Sequence, residues 1–478
     1  MQRPVPLSFR PPWNGGVPIL RAVLWLVGAG CPTADDDDDD DTTGDLAAAV
    51  EDNPRSPLSC YVTWSTEDPA TSAVEFGPDG ALQHRIGSDE LTEEHRVVVV
   101  GMRAETVYQL VAVSETADGR QLRSPVLSHE TGPLPFDGLT LDVTVPDLGL
   151  AQPGWVLADL VLEEDTDTAY IVMFDLDGHT VWVHDDLGGS LLGGRDATLV
   201  DDGAAVLVGG FVVEGETPVE IGLDNQVLWE GPEQPAIGLD CEMHHLLRKQ
   251  AGGNYLTLMH DYSDGSMGDR IVEFDPVLDS VWEWNTVELC EQICTGNPLW
   301  GNWAQLDPAE NVAYYNSWLY STLVKVDRAT GEMLWMFGQH RDFTSTGEDV
   351  WYRQGHSPTR LPDGNLLVFD NGGPEREHSR VIEYTLDETA MTAEIVWEYP
   401  GDLEDPWKND NGGSATRLDN GNTFVVTGTI FPELVPTRLF EVTPDLTKAW
   451  EVVFVPAVPG HIAACSNAKR IPALATDL

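Results

Sequence analysis

Histidine and arginine side chains at three points of this sequence have the chemistry to act on an anionic group. His245 lies in "MHHLLRK" and His356 in "QGHSPTRL", each ahead of a polar turn and a buried strand. Arg376 lies in the loop after "FDNGG". A neutral imidazole can attack an electrophile or move a proton near neutral pH, and a guanidinium can pair with an anion. We therefore predict that His245, His356 and Arg376 face an anionic ligand.

The two histidines occupy the same place in a repeated phrase. The copies read "HHLLRKQAGGNYLTLMHD", "NWAQLDPAENVAYYNS", "HSPTRLPDGNLLVFDN" and "GSATRLDNGNTFVVTG". Aligned on the turn before the buried strand, they place His245, Asn302, His356 and Gly413 at equivalent positions, and a weaker copy adds Arg195. Equivalent positions of a β-propeller lie on one ring, so these side chains can share a pocket. A hydrogen-bonded seal over the channel would also need polar residues there, and that alternative stays open.

Positive charge is concentrated around His356, although the chain as a whole is acidic. The cluster comprises Arg341, Arg353, Arg360, Arg376 and Arg380. A local cationic site in an acidic protein suits an anionic ligand group. For Arg341, Arg353 and Arg360 we instead expect surface salt bridges with the many carboxylates.

A second repeat predicts the elements that position these residues. Six segments each read as two strands joined by a polar turn, and each ends in a tryptophan: Trp182, Trp229, Trp282, Trp335, Trp397 and Trp450. These tryptophans are 47 to 62 residues apart, a period that fits one four-stranded propeller blade. The pattern predicts an all-β six-bladed β-propeller over residues 136–478.

Residues 55–135 predict a smaller all-β domain ahead of the propeller. Short strands such as "CYVTWST" and "VYQLVAVSET" are separated by Gly, Asp and Pro, which is typical of an antiparallel sandwich. The stretch "MRAETVYQLVAVSETADGR" resembles the E to G strand region of fibronectin type III domains, with Tyr108 at the corner tyrosine. We predict a fibronectin type III-like or immunoglobulin-like β-sandwich.

The N-terminus has the order of an export signal. Arg3, Arg10 and Arg21 precede the apolar run "AVLWLVGAG", which is too short for a membrane span and is followed by Cys31. Residues 1–31 therefore predict a signal peptide of lipoprotein type, with Cys31 lipidated, and plain secretion is the alternative. The acidic residues 32–54 predict a disordered tether. We expect an exported protein, periplasmic or at the cell surface, with membrane contact only through the lipid.

Composition excludes several classes of partner and cofactor. The net charge of −54, from 80 Asp and Glu against 26 Lys and Arg, would repel nucleic acid and anionic membranes. Cys290 and Cys294 are close enough in sequence to form a disulfide, which export would permit. A single C-x3-C lacks the four ligands of a zinc site. We predict no metal and no cofactor, although calcium binding by the acidic run stays open.

Several motifs together resemble one enzyme family. "MHHLLRK", "LWGNWAQLDPAENVAYYNSW", "GEMLWMFG", "QGHSPTRLPDGNLLVFDNGGPEREHSRVIEY" and "SATRLDNGNTFVVTG" are similar to the arylsulfate sulfotransferases, which are exported bacterial enzymes. The likeness covers about residues 136–478. It implies a six-bladed propeller after a β-sandwich, and transfer of a sulfuryl group from a phenolic sulfate ester to a phenol through a sulfated histidine, with no nucleotide donor.

The resemblance also implies roles for particular residues. It implies that His245 and His356, as active-site histidines, and Arg376, as the site arginine, are catalytic residues. The transition state of sulfuryl transfer needs cationic donors, and its aryl groups need aromatic walls. We predict that substrate is bound by Asn302, Trp303, Asn371 and Arg380. Packing between blades is the alternative for the tryptophans Trp300, Trp303 and Trp318.

One departure from the family pattern leaves two functions open. The family's sulfated histidine belongs to a later repeat, but no histidine lies between His378 and His461 in this sequence. The matching repeat contains Gly413, Ser414 and Thr427 instead. Either the chain is an exported arylsulfotransferase-like enzyme in which His356 or His245 takes over, or it binds an anionic or aromatic ligand, or a protein partner, without turnover.

Overall fold

Strands form nearly all of the regular structure. The computed structural model describes residues 46–162, 169–185, 195–210, 217–231, 241–261, 268–400, 407–428, 437–458, 463–465 and 467–477. The α-helix of these residues, α1, spans Val287–Ile293, and none of the described helices is long and apolar enough to cross a membrane. The predicted signal peptide, Cys31 and the acidic run that follows it lie outside the described residues.

The N-terminal strands form one hydrogen-bonded sheet of seven strands. They are β1 (Ala49–Asp52), β2 (Cys60–Pro78), β3 (His84–Val99), β4 (Val107–Glu115), β5 (Gln121–Arg123) and β6 (Leu127–Glu130), joined by the last strand of the chain, Thr476–Asp477. The long β2 holds the sheet together, because its first part pairs with β1 and its second part with β4. β1 lies within the predicted tether, so the folded part begins before residue 55.

A cluster of large buried side chains stabilises this sheet. Trp64, Phe76 and Tyr108 belong to one apolar cluster and are almost inaccessible to solvent. The Tyr108 hydroxyl accepts the backbone N–H of Arg103 at 2.9 Å. That bond to the backbone a few residues upstream is the hydrogen bond of a tyrosine corner.

Six further sheets follow along the chain, each with a run of consecutive antiparallel strands. Ahead of them lies β7 (Leu139–Pro146). The sheets contain β8 (Trp155–Leu162), β9 (Ala169–Phe174) and β10 (Thr180–His184); β11 (Arg195–Val200), β12 (Ala205–Gly210), β13 (Val219–Gly222) and β14 (Val227–Glu230); β15 (Cys241–Lys249), β16 (Tyr255–Asp261), β17 (Gly268–Phe274) and β18 (Ser280–Asn285); β19 (Gly301–Asp307), β20 (Val312–Ser317), β21 (Thr322–Asp327) and β22 (Met333–Phe337); β23 (His356–Arg360), β24 (Leu366–Asp370), β25 (Arg380–Asp387) and β26 (Thr392–Tyr399); and β27 (Ser414–Arg417), β28 (Thr423–Val426), β29 (Arg438–Val442) and β30 (Lys448–Pro456).

The middle strands of these sheets are buried because a neighbouring sheet packs on each face. Every residue of β9, β20 and β24 is buried. A strand covered on both faces reads as a continuous apolar run, such as "AYIVMF" in β9, and does not alternate. The first strands β11, β15, β19, β23 and β27 contact one another in succession.

Indole hydrogen bonds join the six sheets in a closed series. Each of the six repeat tryptophans donates Nε1–H to the hairpin turn of the next sheet. The first five acceptors are the carbonyls of Leu223, Pro276 and Arg328, the Glu388 carboxylate and the carbonyl of Pro444. Trp450, on the sixth sheet, donates to Leu176 of the first sheet at 2.9 Å. The repeat seen in the sequence is therefore a repeat of contacts between neighbouring sheets.

The C-terminal strands complete the first sheet. β31 (Ala463–Ala464) and β32 (Ala468–Ile471) pair with β8, on the edge opposite β9. They take the position that β11 holds in the second sheet, and β28 of the sixth sheet contacts β32. At the other end of the chain, β7 pairs with β30. Both ends of this region thus join the first sheet to the sixth.

The cysteines divide into one bridge and two buried thiols among the residues whose side chains the structure describes. Cys290 and Cys294 form a disulfide across the end of α1, which is the pairing that their sequence spacing allowed. Cys60 and Cys465 are free and buried. The bridge lies in the long connection between β18 and β19, ahead of Trp300.

Candidate functional site

His356 is the first residue of β23 and is held through both ring nitrogens. Nδ1 lies 2.8 Å from Oδ1 of Asn371, and Nε2 lies 3.2 Å from the backbone nitrogen of Gly412. A backbone N–H can only donate, so Nε2 is the acceptor and Nδ1 carries the proton that Asn371 accepts. Burial lowers the pKa of His356 to about 4, and the hydrogen bond to Asn371 opposes this only in part. The imidazole is therefore neutral at physiological pH.

Glycine brings the segment that contains Gly412 against this histidine. Gly413 has φ +86, and a Cβ there would lie 2.4 Å from the Phe369 ring, which no side chain could tolerate. Phe369 pairs with His356 across the β23–β24 ladder. The absence of a side chain at position 413, where the sequence repeat has histidine in other copies, thus allows this close approach.

Asn371 is the centre of the contacts around His356. Its Nδ2 donates to the carbonyls of Asn409 and Gly412, at 2.9 and 3.0 Å. Its own carbonyl accepts from Lys408 Nζ at 2.7 Å and from Ser379 Oγ at 3.0 Å. These bonds fix the amide orientation, and the amide in turn fixes the tautomer of His356.

Asn302 lies on the neighbouring first strand and reaches the same segment. Its Nδ2 donates to the Gly355 carbonyl at 3.0 Å, directly before His356. Asn316 donates both to Asn302 Oδ1 at 2.7 Å and to Gly355 at 3.0 Å, and the Tyr352 hydroxyl donates to Asn316. Asn302 thus binds the backbone directly before His356, and Asn371 binds the His356 ring.

His245 lies on β15, the strand that precedes Asn302 in the succession of first strands. β15 contacts β19, which contacts β23, so His245, Asn302 and His356 lie on three neighbouring strands. The His245 ring is 4.0 Å from the ring of His244, centre to centre. The ladder of β15 and β16 is irregular between Met243 and Leu247. Trp303, next to Asn302, lies under the guanidinium of Arg248 at 5.3 Å.

Arg376 and Arg380 bind carboxylates of the protein. Arg376 donates from Nε and Nη2 to Asp349, at 2.9 and 3.0 Å, and from Nη1 to Asp370 at 2.6 Å. Arg380 donates to Asp370 at 2.8 Å and to Glu398 at 3.1 Å. Burial lowers the pKa of both guanidinium groups, but these carboxylates outweigh it and the net shift is upward. The two arginines are permanent cations within a balanced ion network.

We predicted salt bridges for the other three arginines of the cluster, and this prediction is confirmed for two of them and wrong for one. Arg353 pairs with Asp349 and Glu375, each at 3.5 Å, and Arg360 pairs with Glu388 at 3.0 Å. Arg341 has no carboxylate within salt-bridge distance among the described residues. Its Nε donates to Thr322 Oγ1 at 3.0 Å, and burial lowers its pKa.

The reason for the difference is local. Asp342, the adjacent carboxylate, accepts the backbone N–H of Met336 at 2.7 Å instead of pairing with the arginine. Nothing in the sequence distinguishes Arg341 from its neighbours, because the choice between partners is made by the turn after β22. Within the described residues, Arg341 is thus the member of the predicted cluster that has no salt bridge.

Indole groups near these residues differ from the repeat tryptophans. Nε1 of Trp303, Trp318 and Trp407 is buried and has no acceptor in the part of the chain that the structure describes. Each is one or two residues from Asn302, Asn316 or Asn409. These asparagines form hydrogen bonds to Gly355 or Asn371, next to His356. Trp300 stacks on Trp318 with ring centres 5.6 Å apart and is 46% exposed.

A cluster of possible metal ligands lies elsewhere, in the turn between β9 and β10. Asp175, Asp177 and His179 bring ligand atoms within 4.8 Å of one another. Asp175 already accepts two backbone N–H groups of its own turn and a guanidinium N–H of Arg103 at 2.7 Å. The carboxylate is therefore used by the turn, and the cluster is not part of the site around His356.

Solved structures similar to this chain have low sequence identity to it. A putative 6-phosphogluconolactonase from Bacteroides fragilis has 13% identity and a TM-score of 0.37, with 85% of this chain and 99% of that chain covered. A periplasmic gluconolactonase from Pseudomonas aeruginosa has 11% identity and a TM-score of 0.33, with 83% and 100% covered. A luciferin-regenerating enzyme has 10% identity and a TM-score of 0.37, with 70% and 99% covered.

A family model gives the more informative comparison. No curated protein matches the sequence. The model described as arylsulfotransferase (ASST) matches residues 156–444, which is more than half of the chain and contains His245, Asn302, His356 and Arg376. The chain belongs to the arylsulfotransferase family.

Proposed function

We propose that this protein transfers a sulfuryl group from an aryl sulfate ester to a phenol, with His356 as the group that receives it. The state of His356 carries the proposal. Its Nδ1–H is fixed by Asn371, so the lone pair is on Nε2, and its pKa of about 4 keeps that lone pair unprotonated. A neutral imidazole of fixed tautomer has the electronic state that a nitrogen nucleophile needs.

The reaction would proceed in two displacements. In the first, His356 Nε2 attacks sulfur, the bond from sulfur to the aryl oxygen breaks, and the donor leaves as a phenolate that takes a proton from a general acid. In the second, the acceptor phenol attacks the same sulfur, the S–N bond returns its electrons to Nε2, and the acceptor proton passes to the base. We assign the acid–base role to His245, on the nearby strand β15.

The contact between Gly412 and Nε2 must open before attack. That bond is a single backbone N–H at 3.2 Å, near the long end of the range for such bonds. The incoming sulfuryl oxygens would then meet the Gly412 N–H. A backbone donor of this kind stabilises charge that develops on oxygen.

The remaining parts of the proposal concern architecture and location. We propose that the six sheets joined by the repeat tryptophans are the blades of a six-bladed β-propeller, and that the N-terminal strands form a β-sandwich. We also propose export by the N-terminal signal, with lipid attachment at Cys31 and a periplasmic or cell-surface location. Lipid labelling of Cys31 in a host that expresses the full chain, with Cys31→Ala as the control, tests the anchor.

The decisive experiment offers the full chain a chromogenic aryl sulfate and an acceptor phenol. We expect phenol release, and an intact mass increased by one SO3 group when the acceptor is omitted. His356→Ala should lose the label and at least about 100-fold in kcat/KM. Arg360 also lies in β23 but pairs with Glu388, so Arg360→Ala should keep both the SO3 label and the wild-type kcat/KM. An active wild type that never carries the label would refute covalent transfer through His356.

A second function is favoured by the ion network around Asp370. The donors of Arg376 and Arg380 bind Asp349, Asp370 and Glu398, so these arginines add little net positive charge for a substrate. Because these cations are not free to stabilise a transition state, the network favours a protein that binds an aryl ligand without turnover. No phenol release over a broad panel of aryl sulfates, together with measurable binding of the same compounds, would establish this function and exclude sulfuryl transfer.

A further inference from the structure

Two tryptophans form a stacked pair next to β19, the strand that contacts β23, of which His356 is the first residue. Trp300 precedes β19 and Trp318 follows β20, with ring planes inclined by 26°. The backbone N–H of Trp318 donates to the backbone carbonyl of Trp300 at 3.0 Å. Trp300 leaves 46% of its surface exposed, and an exposed indole that is held in place offers a flat apolar face for a ring.

The backbone holds Trp300 in an unusual conformation. Its φ is +47, which is uncommon for a large side chain. The following residue, Gly301, donates its N–H to the buried carboxylate of Asp269 at 2.8 Å. A Cβ at Gly301 would lie 2.5 Å from the Tyr315 ring. Backbone strain that surrounding contacts enforce is typical of ligand sites.

Arg341 binds the residue that follows the turn carrying Trp318. The backbone N–H of Ser321 donates to the Trp318 carbonyl at 3.2 Å and closes a turn. The Cα atoms of Trp318 and Ser321 are therefore less than about 7 Å apart. Thr322, the next residue, pairs with Ser317 and accepts the Nε–H of Arg341 at 3.0 Å. The remaining guanidinium nitrogens of Arg341 have no partner among the described residues.

Hydrogen bonds connect this region to His356. Ser321 Oγ accepts the backbone N–H of Gln354 at 2.8 Å, two residues before His356. Asn316, two residues before Trp318, donates to the Gly355 carbonyl. The turn that carries Trp318 is thus attached to the backbone on which His356 is placed.

We propose that Trp300, Trp318 and Arg341 form a subsite for an aryl compound that carries an anionic group, with the ring on Trp300 and the anion on the Arg341 guanidinium. The inference rests on the proposed function, because it assigns the class of donor or acceptor that the transferase prefers. In a chain of net charge −54, anions are repelled from most of the surface, so a guanidinium without a carboxylate partner among the described residues favours anion binding at its position.

Binding of three probes to the full chain, measured by calorimetry, tests the subsite without turnover. Naphthalene-2-sulfonate has the ring and the anion, but its C–S bond cannot donate a sulfuryl group as an ester does. Naphthalene-2-sulfonamide has the ring alone, and methanesulfonate has the anion alone. We expect the sulfonate to bind most tightly.

Substitutions then separate the two parts of the subsite. Arg341→Gln should weaken sulfonate binding about 10- to 100-fold and leave the sulfonamide unchanged. Arg341→Lys should retain part of the affinity. Trp300→Ala should weaken both aromatic probes about 2- to 10-fold, and Trp300→Phe should recover most of that loss. Arg353→Gln removes a nearby arginine that is already paired and should change nothing.

The outcomes distinguish the subsite from the reaction. Sulfonate binding that is unaffected by Arg341→Gln and Trp300→Ala overturns the subsite, even if the enzyme turns over aryl sulfates. Binding that depends on both residues, in a protein that releases no phenol, supports the subsite and removes the proposed reaction. If Arg341→Gln fails to fold, the Arg341→Lys and Trp300 variants decide, because each retains the charge of the site.

Discussion

At the scale of single residues, His356 combines a fixed tautomer with a low pKa. The same two contacts serve different purposes, because Asn371 defines which nitrogen carries the proton and Gly412 occupies the other nitrogen. A histidine held in this way is a nucleophile or an acceptor, and it is a poor acid at neutral pH. The proton transfers of the proposed reaction must therefore be supplied by another group, and we propose His245 for this role.

The low pKa of His356 predicts a loss of stability in mild acid. In the unfolded chain this histidine takes up a proton below its ordinary pKa of 6.5, but the folded chain does not until about pH 4. Between these values the unfolded state gains a proton that the folded state lacks, so the free energy of unfolding falls as pH falls, by up to about 3 kcal/mol. Above the ordinary pKa this contribution is complete and constant.

Denaturant unfolding from neutral pH down to about pH 4.5 checks this prediction, with His356→Gln as the control that cannot titrate. The stability advantage of the wild type over the variant should shrink across this window. An advantage that is independent of pH would mean that His356 has the same pKa in the folded and the unfolded chain.

At the scale of elements, the repeat tryptophans connect each sheet to its successor. Each hairpin places its indole over the turn of the next sheet, and the bond from Trp450 to Leu176 joins the last sheet to the first. The contacts differ in burial, since Trp450 is fully buried whereas the Trp229 bond to Pro276 is exposed to solvent. Exposed hydrogen bonds contribute less to stability because water replaces them.

Trp450→Phe should therefore destabilise the protein more than Trp229→Phe. Loss of the buried indole removes one hydrogen bond and leaves a cavity, which together cost about 2–4 kcal/mol. Trp229→Phe should cost less than about 1 kcal/mol. Chemical denaturation of the two variants beside the wild type measures the difference, and equal effects would contradict the role assigned to the closing contact.

At the scale of the whole molecule, β32 completes the first sheet and repeats an ion pair found between other sheets. Lys249 on β15 pairs with Glu220 at 2.9 Å, and Arg417 on β27 pairs with Glu383. Arg470 on β32 faces Glu441 at 3.7 Å in the same arrangement, and neither side chain of this pair is exposed. Burial lowers the pKa of Arg470 to about 10, so the cation persists at neutral pH.

Arg470→Ala should therefore cost more stability than Lys249→Ala. Removal of one member of a fully buried pair leaves an uncompensated charge and costs about 3–5 kcal/mol, whereas Lys249 is partly exposed and should cost about 1 kcal/mol. Thermal or chemical unfolding measures both. A double variant with Glu441→Ala should regain part of the loss, and no recovery would show that Arg470 does not act through Glu441.

The sequence alone determined membership of the family and the periodic pattern of strands. Hairpins that end in tryptophan and apolar middle strands are local features, because burial between neighbouring sheets demands them at each repeat. The Asn302 and His356 positions, and the pairing of Arg353 and Arg360 with carboxylates, also followed from position in a repeat and from the excess of acidic residues.

Only the tertiary structure decided which charges are free and how each ring nitrogen is used. Arg376 turns toward both Asp349 and Asp370, and Arg380 turns toward Asp370, although many other carboxylates lie at similar distances along the chain. Arg341 loses its neighbour Asp342 to a backbone N–H. β32 pairs with β8, which lies about 300 residues earlier in the chain. Such choices depend on distances set by the packed sheets, and a pattern along the chain carries no information about those distances.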